Sequence, residues 1–217
     1  IQLRVLVASG LYPMPEKTPL KAVIHGRIEK DDYTVEKVTF ESLPGHFVTG
    51  NLYLPKRITG KIPAVICPHG HWPNGRFMHA DAAEVKAQIA MGAEKFENAA
   101  HSPLQARCVQ LARMGCAVFF YDMLGYADSI QFPEHRHGPG ATGFVSTEAE
   151  LNLVSYFGLQ TWNSVRVVDF VSGLSRLKLL RASDIMTPIA GANIVGGPRA
   201  RPDADLDALV DLAAVHD

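Results

Sequence analysis

The stretch Lys61 to Arg76, KIPAVICPHGHWPNGR, constrains this chain more than any other. Ile62 to Cys67 is a short apolar run without alternation. That is the pattern of a strand buried on both faces, and such strands belong to sheets covered by helices. The run then breaks into Pro68, His69, Gly70, His71, Trp72, Pro73, Asn74 and Gly75. A buried strand that opens into a polar, glycine-bearing loop places backbone N–H groups at the carboxyl edge of a sheet. In open α/β folds that edge is where ligands and chemistry collect.

Composition narrows the partners. The chain has 217 residues, 47% hydrophobic and 20% charged, enough for one ordinary core. A formal net charge of −1 gives no electrostatic reason to expect nucleic acid or an anionic membrane as partner. No apolar run approaches the roughly 20 residues that span a bilayer. No signal peptide is visible, and the start at Ile1 leaves the compartment open. Cys67, Cys108 and Cys116 are odd in number and lack CxxC spacing, which argues against a disulfide framework or a zinc site. Cys67 and Cys116, in apolar strand-like surroundings, read as buried, inert thiols.

Three segments follow from the patterning: an extension over 1–32, an α/β unit over 33–178, and an atypical tail over 179–217. In the first, residues 1–7 read as the end of a helix, 10–19 as an extended connector, and 22–32 as a polar approach with no clear period. Tyr33 to Glu41 alternates and predicts a half-exposed strand; Phe47 to Leu54 predicts its antiparallel return across a Pro-Gly turn, at a sheet edge. The Ile62 to Cys67 strand comes next. Ala82 to Phe96 has helix-forming composition. Ser102-Pro103 starts a helix that Gly115 ends, and Ala117 to Tyr121 is a second buried strand, so strand, helix and strand make a parallel βαβ unit. Glu148 to Leu177 reads as helical, with Trp162, Val165, Val168, Val171 and Leu174 on its packing side. A third parallel strand should follow, but Ile185 to Ile194 is weakly apolar and interrupted by Pro188 and Gly191.

These pieces, in this order, resemble the α/β-hydrolase superfamily and, more narrowly, the bacterial acetyl xylan esterase-like hydrolases. The resemblance is carried by VTFESLPGHFVTGNLYLP, AVICPHGHWPNGRF, LQARCVQLARMGCAVFFYDMLGYADS and GLQTWNSVRVVDFVSGL, roughly from Leu6 to Leu174. It implies an incomplete α/β-hydrolase-like sheet, with an antiparallel meander leading into parallel strands flanked by helices. It implies serine-catalysed hydrolysis of a small-molecule or carbohydrate carboxylic ester, with no cofactor and no metal. It also implies a nucleophilic serine in G-x-S-x-G just after the helix ending near Leu174. No such motif occurs: Gly173-Leu174-Ser175-Arg176-Leu177 fails at its last position, and Gly191 to Gly197 contains no serine. The catalytic residue is therefore unassigned, and residues after about Leu174 are expected to be something other than the family's native continuation. Little or no ester turnover is expected; a non-catalytic relative that binds an acyl or carbohydrate ligand is the alternative. A sheet cut short after a few strands also predicts self-association through its exposed edge.

By resemblance, Gly70 lets the backbone approach a ligand and His71 presents an N–H to the oxyanion of a tetrahedral intermediate. The competing reading is a strand-end turn with a satisfied histidine. His69, Trp72, Arg76 and Tyr126 are candidates to line a substrate pocket, although Arg76 fits a surface salt bridge equally well. His69 and His71 have no carboxylate or third histidine at ligand spacing, so a metal is not expected. Asp122 reads as a residue that fixes its own loop. His135 and His137 precede the position where the family keeps its catalytic histidine, and read as a solvated loop. Nucleotide cofactors are disfavoured, because neither G-x-G-x-x-G nor G-x-x-x-x-G-K-[ST] occurs.

Overall fold

The computed structural model describes residues 2–72, 74–132, 147–152, 154–174 and 177–179. In chain order the elements are α1 (Gln2–Ala8), β1 (Val23–Glu29), β2 (Tyr33–Leu43), β3 (His46–Pro55), β4 (Ile62–Cys67), a 3₁₀ turn (Gly75–Phe77), α2 (Ala82–Ala90), α3 (Glu97–His101), α4 (Pro103–Arg113), β5 (Ala117–Tyr121), α5 (Thr147–Leu151), α6 (Tyr156–Gly173) and β6 (Leu177–Leu179). The strands form one mixed sheet in the order β1-β2-β3-β5-β4-β6. β1, β2, β3 and β5 are antiparallel neighbours, and β4 lies parallel to both β5 and β6.

The period of two along each strand divides the core between two faces. Val118 and Phe120 of β5 point with Tyr33, Val35, Tyr53 and Cys67 toward Ala106, Cys108, Val109 and Ala112 of α4. Ala117, Phe119 and Tyr121 point with Val38, Phe40, Leu52 and Ala64 toward Val167, Phe170 and Val171 of α6. With helices on both faces, β5 is buried throughout, as its unbroken AVFFY run predicts. α4 starts with Pro103 in its first turn and is followed by Gly115 at φ 95. α2 begins on a capping box between Asp81 and Glu84 and stops at Ala90, short of the Phe96 end that the composition suggests; α3 is a separate helix that starts at Glu97.

Five expectations change. The polar approach over 22–32 contains β1, an edge strand with every residue but Ile28 exposed. No buried face imposes alternation on it, so no period betrays it. β2 is not half-exposed: none of its residues is exposed, because α4 covers one face and α6 the other. The hairpin of β2 and β3 is therefore internal, and β1 forms the edge.

The packing stripe of α6 also differs. Leu159, Trp162, Asn163, Arg166, Val167, Phe170 and Val171 are buried, whereas Val168 is 44% exposed. Two polar residues reach the buried side because partners meet them there. Asn163 hydrogen-bonds Ser42 at 2.6 Å and His46 at 3.1 Å. Arg166 donates to the Thr18 carbonyl and pairs with Asp169, tying the amino-terminal connector to the helix. The third parallel strand is β6, directly after α6, where sequence reading saw helix up to Leu177. Ser175, Ser183, the 185–194 run and the loop carrying His135 and His137 lie outside the described residues. No described helix is long and apolar enough to cross a membrane.

Candidate functional site

β4 and β5 run in parallel register from Ala64 opposite Ala117 to Cys67 opposite Phe120. Their carboxyl ends open on the same edge, and the loops 68–77 and 122–129 lock together there. His69 makes the central contact. It is buried; its Nδ1 lies 2.8 Å from the Gly70 carbonyl, and its Nε2 accepts from the Met123 backbone N–H at 3.1 Å. An acceptor Nε2 and a carbonyl partner at Nδ1 together fix the neutral Nδ1–H tautomer. Burial, the largest influence, lowers the pKa of this imidazole and so also favours the neutral ring. The ring stands edge-on to Phe120 and Tyr126, with centroids 6.1 and 5.2 Å away.

The 3₁₀ turn closes the loop on this histidine. Asn74 enters it at φ 59, and Gly75 follows at φ 57. A Cβ at Gly75 would stand 2.9 Å from the His69 ring and 2.9 Å from Tyr126 Cβ. Glycine is thus required twice over, by backbone conformation and by space. The next residue, Arg76, is buried. Its Nε lies 2.8 Å from Asp122 Oδ1, an ion-pair distance off the line of a good hydrogen bond. Its other end pairs with Asp128, and the guanidinium caps the Phe77 ring at 4.1 Å.

Asp122 follows β5 directly, with its side chain fully enclosed. Oδ2 accepts from Thr49 Oγ1 at 2.7 Å and from the Asp128 backbone N–H at 3.3 Å. Burial pushes its pKa up to about 6, against the opposing pull of Arg76 and the Thr49 hydroxyl. This is the loop-fixing aspartate that the sequence suggested. Gln160 of α6 accepts from the Leu124 N–H at 2.8 Å, and Tyr156 donates to the Leu124 carbonyl at 3.0 Å, so the second loop is anchored to the helix below it.

The residues named from sequence separate into two sets. Gly70, His71 and Trp72 are exposed at the loop tip. The Trp72 indole folds back so that a Cβ at Gly70 would meet its Nε1 at 3.3 Å. Tyr126 is 6% exposed, and its hydroxyl lies 2.6 Å from His71 Nδ1. His69 and Arg76 instead face protein. For Arg76 the surface salt bridge is corrected to a buried ion pair, because two carboxylates of the neighbouring loop enclose it. Sequence reading missed Thr49, Asp128 and Gln160 as supports. Two acids six residues apart, Asp122 and Asp128, beside a loop carrying a single arginine were the available signal for one of them.

The tip can donate hydrogen bonds to an oxygen-rich ligand and offer it an aromatic surface. His69 cannot act as a general base while Nε2 holds the Met123 N–H. Among the described residues no three His, Cys, Asp or Glu side chains are grouped so as to hold a metal. A cleft of about 410 Å³ lined by Phe96, Ala99, Arg107 and Gln110 shares no lining residue with the tip.

No family model and no curated protein matches this chain. Solved structures do. One is a Bacteroides fragilis protein assigned as an acetyl xylan esterase, 15% identical, with a TM-score of 0.56 over 81% of this chain and 44% of its own. Another is an acetyl xylan esterase from a Paenibacillus species, 18% identical, with a TM-score of 0.51 over 81% of this chain and 47% of its own. The chain spans under half the length of these two proteins. At such identities the likeness is one of fold: the mixed, helix-covered sheet is shared with the matched part of these acetyl xylan esterases.

Proposed function

We propose that this chain carries the acyl-binding side of a carboxylic ester hydrolase site, with Gly70 and His71 as the oxyanion element. Trp72 and Tyr126 form the adjoining wall for an ester of carbohydrate type. The observation that supports this best is the division of the HG loop: its root is tied to the 122–129 loop by His69 and Arg76, and its tip is left exposed. Holding donors rigid before the ligand arrives is what an oxyanion site requires, because reorganisation during reaction would erase their benefit. β6 lies parallel beside β4, so its carboxyl end opens on the same edge. A nucleophile elbow following such a strand would face the loop.

The sequence after β6 has no G-x-S-x-G. Without the nucleophile, the covalent route is lost and only modest rate enhancement from the oxyanion element remains. The expected behaviour is binding of ester or its products with little or no turnover. The test is hydrolysis of p-nitrophenyl acetate by the full chain, with and without a serine-directed phosphonate, followed by intact mass. Neither turnover nor labelling is expected. Turnover with addition of one phosphonate would overturn the inactive reading and direct attention to Ser175 and Ser183.

A further inference from the structure

On the α4 face of the sheet two thiols meet beside an arginine. Cys67 is the last residue of β4 and Cys108 lies in the middle of α4, and both belong to the core cluster that also holds Ala99 and Ala106. Their sulfurs are within hydrogen-bond reach of each other and of the Arg107 guanidinium. Arg107 Cζ stands 5.9 Å from the centroid of the Phe120 ring, and Phe120 is the register partner of Cys67, so the cation lies over the end of β4. Arg107, Ala99 and Ala106 also line the cleft of about 410 Å³, which brings solvent to the edge of this cluster. The two thiols are not equivalent. Cys108 is fully buried, with its Sγ 3.4 Å from the Leu104 carbonyl, whereas Cys67 keeps 6% exposure. The hydrogen bond from Cys108 lowers the Cys67 pKa, and Arg107 adds to this against the opposing effect of burial. The same contact, together with burial, raises the Cys108 pKa. Tyr53 and Tyr121, the other titratable groups that feel these thiols, have pKa values raised by burial and stay neutral, which leaves Arg107 as the charge beside the pair.

We propose that Cys67 and Cys108 are an oxidant-sensitive dithiol, in which Cys67 is the attacking thiolate, Cys108 is first its hydrogen-bond donor and then the resolving thiol, Arg107 is the counter-charge, and a hydroperoxide is the oxidant. A thiolate beside a cation and a hydrogen-bond donor is the form of cysteine that reacts with peroxides. With hydrogen peroxide, the Cys67 sulfur attacks one peroxide oxygen. An S–O bond forms, the O–O bond breaks, and the departing hydroxide takes up the proton that Cys67 gave up. Cys67 is then a sulfenic acid. The Cys108 sulfur attacks the Cys67 sulfur, an S–S bond forms, the S–O bond breaks, and the hydroxyl leaves with the Cys108 proton as water. The dithiol has lost two hydrogens, and one peroxide has become two waters. The new bond fastens the end of β4, just ahead of the HG loop, to α4. Cys116 is more open to solvent, but its pKa is raised by burial alone, so it serves as the internal control.

The test is treatment of the full chain at pH 7 with a small excess of hydrogen peroxide, then alkylation of the remaining thiols under denaturing conditions, intact mass and peptide mapping. The expected product has lost two hydrogens, carries a Cys67–Cys108 cross-link and leaves Cys116 alkylated. In Cys108→Ala, Cys67 should stop at the sulfenic acid and be trapped by dimedone. Arg107 is exposed, so Arg107→Gln keeps the fold. It should slow formation of the cross-link by roughly threefold or more and move the pH profile of the rate upward. Oxidation at Cys116 before Cys67, or recovery of all three thiols, overturns the proposal from the wild type alone. Oxidised Cys67 without the cross-link overturns the resolving role of Cys108, and an unchanged rate in Arg107→Gln overturns the counter-charge. None of these readings depends on ester binding or turnover, so the esterase reading and this one can fail separately.

Discussion

The two halves of the HG loop differ in what their polar atoms face. At the root, His69, Gly75, Arg76 and Phe77 are buried, and each polar side chain there meets another part of the chain. At the tip, Gly70, His71, Trp72 and Asn74 are exposed. The same short segment thus serves both as a structural joint and as a presented surface. Substitutions at the root should change stability first. Substitutions at the tip should change binding while leaving stability nearly alone.

The sharpest test of the root is Arg76→Ala. Removing one member of a buried ion pair costs about 3–5 kcal/mol, because the partner charge is left enclosed. Asp122 is that partner, with Asp128 helping at the open end. Urea unfolding at pH 7 should show a loss in this range. At pH 5 the loss should shrink, since Asp122 can then escape by taking a proton. An equal loss at both pH values would mean that Arg76 matters through packing on Phe77 rather than through charge.

Gly75→Ala comes next. A left-handed alanine costs about 1–2 kcal/mol, and overpacking adds about 1–3 kcal/mol. A combined loss of about 2–5 kcal/mol is expected at φ 57 with contacts of 2.9 Å. Repeating the substitution in a His69→Ala background should recover part of the clash term and none of the backbone term. Full additivity in that cycle would remove His69 from the joint.

Ionisation of Asp122 gives a smaller and signed effect. Its folded pKa of about 6 lies above the ordinary carboxylate value. The folded state therefore binds the proton more tightly. This group's favourable contribution is complete below about pH 4 and is lost as pH rises through about 6, a swing of about 3 kcal/mol at most. Glu29 and Glu41, whose pKa values are lowered chiefly by hydrogen bonds from Lys56 and Lys21, act in the opposite sense. Carboxyl ¹³C titration should place Asp122 near 6. A midpoint near the unperturbed value would show that Arg76 and the Thr49 hydroxyl fully offset burial, and one below it that they outweigh it.

Sequence reading located the joint through the strands that lead into it. The apolar runs of β4 and β5, the Pro103 start of α4 and the Gly-rich break after Cys67 are local signals. They put the loop at the right edge of the right sheet. What stayed illegible depended on the other side of a contact. The exposed edge strand β1 has no buried face to print a period on it. Asn163 and Arg166 look like solvent-facing residues until Ser42, His46 and Thr18 are brought beside them. Arg76 looks like a surface arginine in the sequence because its two acids, Asp122 and Asp128, lie 46 and 52 residues later in the chain. Tip residues were easier to name because an exposed loop role depends less on distant partners.

The mildest substitution bears most directly on function. Trp72 is 46% exposed and forms no part of the described core clusters. Trp72→Ala should change stability by no more than about 0.5 kcal/mol, as for surface changes elsewhere. An indole half open to solvent, folded over Gly70, is a flat apolar surface beside polar donors. A pyranose ring has that same division, with C–H groups on its faces and hydroxyls at its rim. Under the proposed carbohydrate-ester reading, binding of acetylated xylo-oligosaccharide, followed by chemical-shift changes at Gly70 and His71, should therefore weaken at least tenfold in Trp72→Ala, a loss of about 1.4 kcal/mol. An unchanged affinity would leave the donors as the ligand-facing part of the tip and return Trp72 to the role of a cover over Gly70. A stability loss as large as that of Gly75→Ala would erase the division between root and tip, because the tip would then be part of the joint.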